Sequence, residues 1–304
     1  HVATPGVNVQ ALADFLASSG SGTLFGLYDL FAGGAFGRAT VFALGIMPYI
    51  SASIVFQLAG PVFPVIEKMQ RDEEGKKKLT QWTRYLTVVL CIFQAYGFAI
   101  FTEQLSNAVA QPGWGFRMTT VLTLTTGGVF VMWLGEQITE RGIGNGMSLL
   151  IFFSIIEGVV PAIIRTFEAL NAGTITIPIL LLMALVMVLV VAGTVAVTTA
   201  ARRIPIQIPR KVMGRGRVRE GQKTFIPLRL NTANVMPIIF AQSLIIVPGT
   251  LATFSNVPWL RSIADMFSTT SWVYVISSVV LIVFFAYFYT SIIFNPVDLA
   301  ENLK

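Results

Sequence analysis

Charge is scarce in this chain, and histidine and cysteine are almost missing. Only 12% of the 304 residues are charged, against about 25% in an ordinary soluble domain, so the surface that should carry the missing charge must face something other than water. His1 is the only histidine and Cys91 the only cysteine. One thiol excludes an intrachain disulfide, and no Cys/His cluster exists to hold a transition metal. Neither a Ser-His-Asp nor a Cys-His constellation can be assembled, so the chain is not expected to be an enzyme. Two glycine-rich stretches, "RGIGNGMS" and "GRGRVREG", lack both the strand-to-helix context and the Lys-Ser/Thr ending of a phosphate loop. No nucleotide, metal or other cofactor is expected.

What the chain has instead is hydrophobicity: 54% of residues are apolar and the mean hydropathy is +0.73. Apolar runs near the ~20 residues that cross a bilayer as a helix fall at 41–59, 84–102, 118–136, 147–165, 177–199, 235–253 and 272–294. These seven spans predict an all-α polytopic membrane protein with no soluble domain of its own. Seventeen of the 21 Lys and Arg residues fall on one side of this topology, which places that side in the cytoplasm. The N-terminal end then lies outside and the C-terminal end inside. No signal peptide is visible, so a further span upstream of residue 1 is expected.

Two cytoplasmic segments stand out. "EKMQRDEEGKKKLTQWTR", residues 67–84, reads as a mixed-charge polar loop that sets topology. Residues 201–230 alternate apolar and polar in "RIPIQIPRKV" and "KTFIPLRL", which reads as strand-turn-strand. This hairpin carries Arg202, Arg203, Arg210, Lys211, Arg215, Arg217, Arg219, Lys223 and Arg229. So many cations either load the cytoplasmic side or dock a polyanionic or acidic partner.

Two spans are poorly built for lipid. "FALGIMPYISASIVFQL" contains Pro48, Ser51, Ser53 and Gln57, and "NTANVMPIIFAQSLIIVPGT" contains Asn234, Pro237, Gln242, Ser243 and Pro248. Proline inside a helix removes a backbone bond, and the polar side chains belong against protein or water. These helices are expected to face each other or a cavity, unless the polar groups only join packed helices. Ile46 and Ile50, like Met147 and Ile151, are spaced one turn apart, and Ile238 and Ile239 follow Pro237. Such aliphatics either pack and face lipid or form a constriction that closes a pore by dewetting. Glu157 is the one carboxylate inside a span away from a helix end, which leaves a role beyond packing open.

Four stretches, "GGAFGRATVFALGIMPYISASIVFQL", "FVMWLGEQITERGIGNGMSLLIF", "FIPLRLNTANVMPIIFAQS" and "FFAYFYTSIIFNPVDLAENLK", resemble the SecY family of bacterial protein-translocation channel subunits. The resemblance runs in order along the chain and corresponds to the family's second to eighth membrane helices, with the first, ninth and tenth missing. It implies a passive polypeptide channel of the plasma membrane, with a pore ring at Ile46, Ile50, Met147, Ile151 and Ile239. It also implies a plug in "LFGLYDLFAGGAFGR", with Leu27, Tyr28, Phe31, Gly33 and Gly34, and a lateral gate lined by Ser51, Gln57, Asn234 and Gln242. Asn234 stands where the family usually has glycine, and Met147 where isoleucine is common. The basic hairpin would dock the ribosome or the SecA motor, SecE and SecG would flank the subunit, and signal sequences, nascent chains and membrane lipid would be its other partners. The implied organisation is an external segment with the plug over 1–40, five spans over 41–199, a docking loop over 200–234 and two spans over 235–304. A small-solute secondary transporter, which also uses interrupted helices, is the competing reading; it requires a buried charged site for which only Glu157 is available. A membrane-bound enzyme would require a catalytic constellation that the residues do not supply.

Overall fold

A computed structural model describes residues 2–19, 24–105, 107–206, 212–213, 217–218, 224–229, 231–233, 235–254 and 271–293. Chain contacts divide it into two compact units, residues 1–165 with 238–282 and residues 166–237 with 283–304.

The first unit begins with α1 (Val9–Ser19) and the short α2 (Leu24–Phe31). Residues preceding α1 form a strap: the Thr4 N–H donates to the Ala39 carbonyl (2.8 Å), and Val41 donates to Val2 (3.0 Å). The apolar run expected to span from residue 41 remains in turns until α3 (Met47–Val62) begins. Pro48 is therefore in the first turn of α3 rather than inside it. Its missing N–H costs nothing there, because first-turn amides lack helical partners anyway. Pro237 is likewise in the first turn of α10 (Met236–Phe254). The expectation that these two prolines each remove a helical backbone bond is thus corrected; the interior prolines are Pro61, near the end of α3, and Pro248, within α10 as expected from the sequence.

Residues 67–84 are a second correction. They do not form a loop: α4 (Pro64–Arg71) turns back from α3 at 112°, and α5 (Glu73–Gln104) starts two residues later. Glu73 and Glu74 lie in the first turn of α5, where they favour the helix dipole, and the lysines after them are good helix formers. At 32 residues α5 is about 48 Å long, well beyond the ~30 Å hydrocarbon core.

Helix α5 packs against α6 (Trp114–Arg141), and ion pairs fix their antiparallel register at both ends. Arg84 Nε meets Glu136 Oε1 at 2.7 Å, and Arg117 meets Glu103 Oε2 at 2.7 Å. Between them, Gly127 admits the Val41 carbonyl, and Gly128 lies so close to Cys91 that a Cβ there would be 2.9 Å from the sulphur.

The "RGIGNGMS" stretch is the corner between α6 and α7 (Gly146–Glu157). Asn145 caps α7, accepting the Met147 and Ser148 N–H groups at 3.0 and 3.2 Å. Gly146 rests on the Gly135 carbonyl of α6, and its N–H donates to Thr139 Oγ1 at 2.9 Å.

After α7 come α8 (Val159–Asn171) and α9 (Ile177–Thr199). Helix α9 is apolar all round and buries nothing against the chain, the behaviour of a helix made for lipid or for another protein. In the second unit the polypeptide then forms a ribbon. Strands β1 (Ala201–Ile206) and β4 (Thr224–Arg229) are antiparallel, Ala201 opposite Arg229 and Ile206 opposite Thr224. Two-residue strands β2 (Val212–Met213) and β3 (Arg217–Val218) pair beyond them. A ribbon of two strands has only edges, so Pro205 and Pro227 are tolerated in it. The last described helix is α11 (Trp272–Ile293).

Among the described residues, five helical segments are long and apolar enough to cross a membrane: α5, α6, α7 with α8, α9 and α11. The bent pair α3 and α4 makes a sixth if it counts as one. The seventh expected span is α10, whose apolar stretch Met236–Ile246 is shorter.

Candidate functional site

Helix α2 ends where its sequence dictates. The Gly33 and Gly34 N–H groups donate to the Leu30 and Asp29 carbonyls (3.3 and 2.9 Å), and both glycines have positive φ, +64° and +70°. This is a Schellman termination, which glycine makes without steric cost. Asp29 then holds the following turn, its Oδ1 accepting the Gly37 N–H at 2.8 Å. Burial pushes its carboxyl above the usual range, partly offset by the Gly37 and Phe36 N–H groups and by Arg38.

Tyr28 is 3% exposed. Its hydroxyl donates to the Leu44 carbonyl at 3.0 Å, and its ring meets Phe36 edge-on at 5.2 Å. Phe36 in turn meets Phe98 of α5 at 5.3 Å. Phe31 is half-buried, and the Leu27 side chain lies outside the described residues. On the other side α2 packs against α7. A Cβ on Gly33 would be 3.3 Å from Ser154 Cα and 3.4 Å from Glu157 Oε2. The carboxylate whose role the sequence left open thus lies beside the glycine hinge.

Of the five expected ring positions, Ile46, Ile50, Ile151 and Ile239 are each at most 7% exposed. Ile46 precedes α3 and accepts the Ile50 N–H at 3.2 Å. Ile239 is on the buried side of α10, whereas its neighbour Ile238 is 46% exposed. Met147 differs from the others: its sulphur fills the notch left by Gly135 on α6.

The polar side chains of the two weak helices are largely satisfied locally. Ser51 donates to the Met47 carbonyl at 3.0 Å, and Gln57 Nε2 donates to Ser53 Oγ at 2.7 Å. Ser243 donates to Ile239 at 2.9 Å. Gln242 reaches further, its Oε1 accepting the Tyr274 hydroxyl of α11 at 2.9 Å. Tyr274 was not singled out from the sequence, since an aromatic in an apolar span gives no local signal. Asn234 lies outside the described residues.

In the basic hairpin Arg202, Arg203 and Arg229 are exposed. Arg203 and Arg229 share one face of the ladder, and the Arg203 guanidinium stacks over Phe225 at 4.9 Å from the ring centre. Arg202 is on the opposite face, across from Leu228. Arg210, Lys211, Arg215, Arg219 and Lys223 lie outside the described residues; Arg217 belongs to β3, with its side chain not described.

The family profile that matches residues 40–304 is that of SecY. The chain belongs to the SecY family. It is 46% identical over 310 residues to the protein translocase subunit SecY of Aquifex aeolicus, covering 100% of this chain and 72% of that protein. The corresponding subunit of Escherichia coli K12 is 42% identical over 308 residues, covering 99% of this chain and 69% of that one. Among solved structures, Sec61 in the canine ribosome-channel complex aligns with a TM-score of 0.52 at 18% identity, over 72% of this chain and 50% of that one. A SecY protein whose plug domain is described as stabilising the closed state of the translocation channel aligns with a TM-score of 0.53 at 19% identity, over 77% of this chain and 57% of that one. This SecY-family chain thus spans about half the length of these solved chains, and the likeness confirms the helical channel fold expected from its motifs.

Proposed function

We propose that this chain is a protein-conducting channel subunit that moves unfolded polypeptides across the plasma membrane and releases signal sequences or membrane segments sideways into lipid. The observation that carries the reading, beyond family membership, is the seat of α2. A short helix ending in a glycine pair is held between the turn that starts α3 and the face of α7, as a removable plug requires. Ile46, Ile50, Met147, Ile151 and Ile239 form the ring, an apolar constriction that excludes water at rest. Met147 replaces a branched side chain with a pliable one that preserves the seal. Ser51, Gln57, Asn234 and Gln242 line the lateral gate, where the hydrogen bonds of Ser51, Gln57 and Gln242 let a helix face water or a passing chain without orphaned groups.

The hairpin faces the cytoplasm and docks the ribosome or SecA, with SecE and SecG flanking the subunit. Ribosome docking is supported by the ribosome-bound state of Sec61 and by the exposed arginines. The N-terminal segment lies outside and the C-terminal end inside. The small-solute transporter reading is not supported: Glu157, the carboxylate it depended on, lies beside the plug glycine Gly33.

Site-specific photocrosslinking tests the assignment. Probes at Ile50 and Gln242, in the membrane-assembled translocase, should both capture a stalled secretory chain, with Gln242 favouring its signal segment. Capture by neither would reject the ring and gate positions.

A further inference from the structure

We infer that Tyr28 is the latch of the plug, and that it works through the buried hydrogen bond its hydroxyl donates to the Leu44 carbonyl. The inference rests on the reading of α2 as a plug. The Leu44 carbonyl belongs to the turn that leads into α3, ahead of the Ile46 cap, so the helix's own hydrogen-bond ladder, which starts at the Ile46 carbonyl, does not reach it. A buried carbonyl without a donor is costly, and the Leu44 side chain and the Tyr28 ring are both 3% exposed. The Tyr28 hydroxyl supplies the donor at 3.0 Å, from sixteen residues earlier in the chain.

The surroundings make this contact a clasp rather than a surface bond. Gly45, at φ +54°, lets the backbone turn so that Ala32 packs close, 3.4 Å from where a Cβ would stand. The Tyr28 ring is fixed against Phe36, and Phe36 against Phe98. On the far side Gly33 is under Ser154 and Glu157 of α7. Helix α2 therefore bridges the turn leading into Ile46 and Ile50 and the helix carrying Met147 and Ile151. Displacing the plug must break the phenol bond, and drawing α3 away from α7 strains both attachments together.

The test is the ion conductance of the reconstituted translocase in planar bilayers, measured at rest and with a precursor engaged. Tyr28→Phe keeps the ring and removes only the hydroxyl. It should raise the ratio of resting to engaged conductance roughly fivefold, the population shift expected when one buried hydrogen bond is lost. A tight Tyr28→Phe channel in a translocase that still moves precursor would overturn the latch. A wild-type assembly that conducts neither ions nor precursor would instead remove the channel reading beneath it.

Discussion

At single positions, glycine and proline act here by what they omit. Gly127 lacks the Cβ that would collide with the Val41 carbonyl, whereas Gly193 in α9 has open space around it. Gly127→Ala should destabilise the protein by about 1–3 kcal/mol, because backbone cannot move aside as a side chain can. Gly193→Ala should be neutral or stabilise by roughly 0.5–1 kcal/mol through lower chain entropy. Thermal shift in detergent distinguishes them, and equal effects would contradict the packing described. Asp29 gives a pH dependence of fixed sign. Its raised carboxyl favours the protonated form in the seated plug, so that contribution is complete below the ordinary carboxylate range and is lost as pH rises through the folded value. Resting conductance should therefore fall in mild acid, and Asp29→Asn, neutral throughout, should lose the dependence. The position of Pro48 was legible in the sequence but its consequence was not, since that depended on whether α3 began before or after it.

Among the elements, hairpin and helix show opposite degrees of legibility. The ribbon was readable because β structure writes a two-residue alternation directly into the chain, and residues 201–206 and 224–229 pair accordingly. The start of α5 was hidden because hydropathy registers contact with lipid, not helicity. Residues 73–83 are helical but polar, so the apolar run appeared to begin at Arg84. Within the ribbon, Phe225→Ala should remove the Arg203 stacking, worth about 0.5–1 kcal/mol at an exposed site. Replacing Arg202, Arg203 and Arg229 by Ala should weaken ribosome binding and flatten its log–log salt dependence by roughly 2–3, if each meets one RNA phosphate. An unchanged slope with reduced SecA affinity would reassign the hairpin to the motor.

For the whole molecule, orientation is the statement most open to direct attack. Arg203→Cys should react with an impermeant maleimide only from the cytoplasmic side, and Gln111→Cys, between α5 and α6, only from outside. Cys91 is fully buried and should stay silent in both. The reverse pattern would invert the topology. The sequence alone determined the membrane class, the order of the apolar segments, the charge asymmetry and the family, because each is written in composition, in short periods or in unbroken motifs. Only the tertiary structure decided which groups meet: Tyr28 with Leu44, Gln242 with Tyr274 across 32 residues, and Glu157 with the Gly33 hinge. Those pairings depend on where distant segments are brought by the path of the chain, and a one-dimensional pattern records how strongly a residue avoids water, not which partner it finds.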